Sequence, residues 1–162
     1  MTNANCDRET GADALRREWL GLLARAAPGA LGERMDAARA ALGDLPPHRW
    51  LRTPETGSVM LRGRTGGTGA PFNLGEMTVT RCTLALDDGT VGHAMVPGRD
   101  KAHAEHVALA DALLQRDGSR DAMQAAVLDP LAAEEEAAAH AVAAKAAATK
   151  VDFFTMVRGE DE

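Results

Sequence analysis

Two stretches hold residue types and spacings that could do chemistry. In Thr65-Gly66-Gly67-Thr68-Gly69, consecutive glycines free the backbone to aim N–H groups at a phosphate or phosphonate oxygen, with Arg62 and Arg64 as adjacent cations. In Gly98-Arg99-Asp100-Lys101-Ala102-His103 a strand gives way to a helix, and the first N–H groups of a helix attract anions. The candidate anion-binding or substrate-proximal set is therefore Arg62, Arg64, Gly66, Gly67, Gly69, Arg99, Asp100 and His103. Each part has a plainer reading. The glycines also suit a tight β connection or a contact with a partner chain, since no Lys-Ser or Lys-Thr follows at phosphate-loop spacing and no G-x-G-x-x-G occurs. Asp100 also suits a simple helix N-cap.

His103 and His106 stand three apart and could share a metal with His93 or Cys82, but the H-E-x-x-H pattern is missing and no metal site is assigned. Arg52 and Glu55 read as a surface ion pair or turn. No Ser or Cys is placed with a base and an orienting group, so no catalytic residue is assigned. The two cysteines, Cys6 and Cys82, cannot alone hold a radical S-adenosylmethionine cluster, which needs three closely spaced thiolates.

The elements that would position these groups are α+β in class. Leu15, Trp19, Leu22, Leu23 and Ala26 recur at helical spacing over about 12–27, where Pro28-Gly29 ends the segment; a shorter helix follows over about 31–42. Alternation predicts strands over 58–64, 73–86 and 91–96, with Asp87-Asp88-Gly89-Thr90 as a hairpin signal, giving a small three-stranded antiparallel sheet. A helix then runs from Gly98-Arg99-Asp100 to about Gln115, ended by Asp117-Gly118. Pro130 begins a last, Ala-rich helix over about 131–149, with Glu134 to Glu136 near its start and Lys145 near its end, as the helix dipole favours. Alanine gives high helix propensity but little area to bury, so this helix reads as an arm.

The 162 residues suit one domain over 1–150, with 1–10 mobile, and a separate tail over 151–162. A net charge of −6 argues against nucleic-acid and anionic-membrane binding, although arginines cluster in the middle of the chain. No apolar run has the length of a membrane span or the form of a signal peptide, and a cytoplasmic location is expected.

The tail is conspicuously apolar. In Val151-Asp152-Phe153-Phe154-Thr155-Met156-Val157-Arg158-Gly159, an extended backbone puts Val151, Phe153 and Val157 on one face and Phe154 and Met156 on the other. Both faces call for cover, either from the tail's own domain or from a groove or sheet edge on a partner.

These pieces together carry a resemblance. Glu55-Thr-Gly, Gly66-Gly-Thr-Gly, Thr78-Val-Thr-Arg81, Asp88-Gly89, Gly98-Arg-Asp100, His103-Ala-Glu105, Asp111-Ala-Leu and the closing Asp152-Phe-Phe-Thr-Met-Val-Arg-Gly159 occur in an order that resembles the PhnG family, the G subunit of the bacterial carbon-phosphorus lyase core complex. The resemblance covers about two thirds of the chain, from Arg52 to Gly159. His103 falls within the family pattern, whereas His93 and His106 fall outside it.

The resemblance implies a required but non-catalytic subunit in phosphonate catabolism. Such a subunit works with the I, H and J subunits of the core complex, and functionally with the L subunit, in replacing the adenine of MgATP by an alkylphosphonate. MgATP would be a substrate of the complex, and this chain would carry no cofactor of its own. The resemblance shifts the tail reading toward partner docking, most directly on the I subunit, through Val151, Asp152, Phe153, Phe154, Met156, Val157 and Arg158. The alternative is a small independent phosphate- or nucleotide-binding enzyme using Gly66 to Gly69 with Arg99, Asp100 and His103.

Overall fold

The computed structural model describes residues 11–150. Its elements run α1 (Gly11–Arg25), α2 (Pro28–Leu42), β1 (His48–Arg64), β2 (Pro71–Leu86), β3 (Val91–Pro97), α3 (Lys101–Leu114), α4 (Asp117–Met123) and α5 (Asp129–Ala148). The α+β class and the order of helices, antiparallel sheet and helices are as the sequence predicts. The tail assignment, Val151 to Arg158, lies outside the described residues.

β2 is the central strand of the order β1-β2-β3. The Asp-Gly turn forms as expected: Gly89 has φ 87°, a conformation open to glycine, and the Thr90 N–H donates to Asp88 Oδ1 at 2.9 Å. β3 pairs only with Val79 to Ala85 of β2, whereas β1 follows β2 along its whole length. The distal halves of β1 and β2 therefore form a two-stranded ribbon that continues past the end of β3.

Several boundaries differ from expectation. β1 begins at His48 rather than Ser58, because the segment that carries Pro54 and Gly57 is an outer strand with register shifts between Trp50 and Glu55. An edge strand tolerates a proline that a central one would not. Pro28 does not merely stop α1; it occupies the start of α2, where its missing N–H is harmless. Asp117-Gly118 opens a short helix, α4, which passes through a π-helical stretch, Gln124–Leu128, into α5.

α3 lies on the sheet face formed by Thr80, Cys82 and Leu84 of β2. There Cys82 Sγ donates to the Ala104 carbonyl at 3.2 Å, and Gly92 meets the helix so closely that an added Cβ would lie 1.9 Å from the Ala108 oxygen. The core joins Leu23, Leu31, Met35, Leu84, Val96, Val107, Leu113, Met123 and Leu131, each at most 3 % exposed. α5 leaves this core after Leu131, and residues 132–150 are all exposed. Its base is held by Arg25 to Glu135 at 2.6 Å and by Arg34 to Glu134.

Candidate functional surface

The structure places the predicted anion-binding residues in two separate regions. Gly66, Gly67 and Gly69 form the tip of the ribbon, with Gly66 and Gly67 at φ 60° and 81° in a 3₁₀ turn. Arg64 Nη1 donates to the Gly69 carbonyl at 3.0 Å, closing this loop on itself. Gly98 lies at the other end of the ribbon, its N–H donating to the Thr78 carbonyl at 2.9 Å. The seven residue-to-residue steps of the strand from Pro71 to Thr78 separate the two regions by about 23 Å at ~3.3 Å per step.

Asp100 caps α3: its Oδ1 accepts the His103 N–H at 2.9 Å. Arg99 is exposed beside it. The His103 ring is buried against the Leu23 and Ala24 carbonyls at the end of α1, yet neither ring nitrogen has a hydrogen-bond partner. Burial depresses its pKa, outweighing the carbonyls and Asp100, which favour the proton. His93 lies exposed on the other side of the sheet, and His106 packs near Gly32 of α2. Among the described residues, no three His, Cys, Asp or Glu side chains come together as metal ligands.

The most complete polar constellation is one that residue spacing does not reveal. Asp111, on α3 and fully buried, accepts from Arg16 Nε and Nη2 at 3.1 and 2.6 Å, from Trp19 Nε1 at 2.9 Å and from the His93 backbone N–H at 2.9 Å. Arg16 and Gln115 both donate to the Val91 carbonyl. Side chains from α1, α3 and the residue after α3 thereby satisfy the Val91 carbonyl and the His93 N–H on the outer edge of β3, two groups that would otherwise be open to another strand. With its lone pairs engaged and water excluded, Asp111 is a structural tie between α1, α3 and β3.

A different surface is open. The β1–β2 register sets Glu55 opposite Arg81, Gly57 opposite Val79, Val59 opposite Met77 and Leu61 opposite Gly75, all on the face turned away from α3. β3 adds His93 opposite Thr83 and Met95 opposite Arg81. A register shift between Leu61 and Arg62 brings Leu74 and Phe72 to the same side, where the Phe72 ring lies 3.8 Å from a Cβ built on Gly63. Leu61, Phe72, Leu74 and Met95 are 37, 44, 65 and 53 % exposed.

At the base of this face, Glu55 Oε1 is 2.8 Å from Arg81 Nε and 3.7 Å from Arg52 Nε, so two guanidiniums share one carboxylate. Thr83 Oγ1 lies 3.2 Å from His93 Nδ1. A hollow of about 300 Å³ touches Arg52, Arg81, Thr83, His93 and Met95, and its lining also takes in Leu20, Cys82, Ala94 and Val107. The sequence signal for the open face is the run Val59-Met60-Leu61, because three successive apolar residues in a strand cannot all face one core.

The family model described as phosphonate metabolism protein PhnG matches residues 14–159. The chain belongs to the PhnG family. A relative from Rhizobium meliloti (strain 1021), alpha-D-ribose 1-methylphosphonate 5-triphosphate synthase subunit PhnG, is 49% identical over 148 residues, covering 91% of this chain and 92% of that protein. Membership of the PhnG family places the chain in phosphonate metabolism. The PhnG match spans every strand of the sheet and α2 to α5, so the ribbon and the exposed α5 arm belong to the matched region. Among the described residues, no helix is long and apolar enough to cross a membrane.

Proposed function

We propose that this chain is a required, non-catalytic subunit of an assembly that transfers the ribose triphosphate portion of MgATP to an alkylphosphonate with release of adenine. The relative's printed description, a subunit of a ribose 1-methylphosphonate 5-triphosphate synthase, supports this reading. The structural observation that carries it is the exposure of residues 132–148 on a 20-residue helix anchored only at its base. An arm of this kind has a physical reason to exist when another chain packs on it.

In this reading the chain contributes binding energy and order rather than a reacting group. α5 and the tail from Val151 to Arg158 dock on the I subunit, within a cytoplasmic core that also holds the H and J subunits and acts with the L subunit. An independent nucleotide-binding enzyme would instead need the Gly66–Gly69 loop and the Arg99, Asp100 and His103 group to meet one ligand across the length of the ribbon.

The test is reconstitution from co-expressed subunits, with adenine release from MgATP and methylphosphonate as the readout. Adenine release is expected from the full set, and its loss on omitting this chain. Deleting Val151 to Glu162 is expected to remove this chain from the purified complex. Adenine release by this chain alone, or full activity without it, would sink the proposal.

A further inference from the structure

We infer that the ribbon face turned away from α3 is a second docking surface, one that binds another subunit of the same assembly through an apolar segment flanked by carboxylates. The inference rests on the subunit reading above and adds to it the place and chemistry of a contact.

The apolar half of the argument is register. Val59, Leu61, Phe72, Leu74 and Met77 come to one side of the ribbon, and Met95 adjoins them from β3. Beyond Val79 the ribbon has only two strands, and a two-stranded hairpin is marginal in water without something packed on it. With Leu74 and Met95 more than half exposed and Leu61 and Phe72 more than a third, this face offers water several large apolar side chains, clustered at Leu61, Phe72 and Leu74 toward the tip and met by Met95 at the base.

The polar half is charge. Arg52 and Arg81 share the single carboxylate of Glu55, which leaves one net positive charge at the base of the patch, next to the His93 imidazole. A partner that sets a carboxylate there completes a second Arg–carboxylate pair, while a partner bringing Lys or Arg meets repulsion. The occupant is therefore apolar toward the ribbon tip and acidic toward the base of the sheet.

The experiment compares variants in the co-expressed complex. Leu74→Asp combined with Met95→Asp is expected to lower retention of this chain at least tenfold. Arg81→Glu is expected to weaken retention several-fold, whereas Leu15→Asp, an exposed apolar position on α1, leaves it unchanged. Hydrogen exchange on the wild-type chain, free and assembled, needs no variant: slower exchange in Phe72 to Met77 on assembly is expected. Unchanged retention of the double variant, or unchanged exchange in that segment, overturns the inference. So does a photo-crosslink from position 74 to a second copy of this chain or to its own tail. Failure of the wild-type chain to assemble at all would strike the subunit reading instead.

Discussion

Arg16 and Asp111 stand 95 residues apart in the chain and meet in a two-point ion pair, with the Asp111 side chain at 0 % exposure. The carboxylate also takes the Trp19 indole N–H and a β3 backbone N–H, so its removal would leave four N–H donors without this acceptor. Breaking a buried pair on one side typically costs about 3–5 kcal/mol. Asp111→Ala is expected to lower the urea midpoint by a corresponding amount and to shift Trp19 fluorescence toward that of a hydrated indole.

His103 makes stability pH-dependent on the acid side. Its folded pKa lies below the ordinary histidine value because the ring is buried, so the unfolded chain takes up the proton first as pH falls. Stability from this group is fully present above about pH 6.5 and declines below it. His103→Leu should flatten the decline between pH 6.5 and 5. An unchanged slope in chemical denaturation across that window would show that other groups set it.

Cys82 is expected to resist thiol reagents. Its pKa is pushed up to about 11, first by burial and then by the nearby Glu105 carboxylate, leaving almost no thiolate near neutral pH. In a Cys6→Ser variant, labelling at pH 8 should therefore wait for unfolding and accelerate with denaturant. Because the folded pKa is raised, stability from this thiol is intact below about pH 9 and is lost as pH rises toward 11.

Gly92 is fixed by the closeness of α3. A methyl group there would meet the Ala108 carbonyl oxygen at 1.9 Å and the Ala112 Cβ at 3.0 Å, and backbone cannot step aside as a flexible side chain can. Gly92→Ala should cost about 3 kcal/mol or more, at or above the usual range for overpacking, and thermal melting would register it.

The legible parts of the fold are those in which one local signal dominates. Apolar spacing reveals α1 and α3, Asp88-Gly89 reveals the β2–β3 turn, and Asp100 reveals the cap it forms. The first ten residues of β1 escape notice because Pro54 and Gly57 speak against a strand that only its edge position and register shifts permit. α4 is hidden by Asp117-Gly118, which reads as a stop until Ser119 is seen buried with its hydroxyl on the Leu113 carbonyl. Asp111 looks like a misplaced acid on an apolar helix, because its partners come from residues 16, 19 and 93. The predicted glycine loop and helix cap are both present as local structures, but strand length, which motif spacing does not express, sets them apart.

The arm formed by α5 presents methyl groups in place of longer side chains over most of its exposed length. An alanine has no rotamers to lose, so packing against it freezes nothing on its own side. In the proposed docking, the ordering cost at this helix therefore falls on whatever side chains the other surface supplies. In that docking, a helix already formed before contact, with little side-chain freedom to surrender, is a rigid template, and the other chain does the adapting.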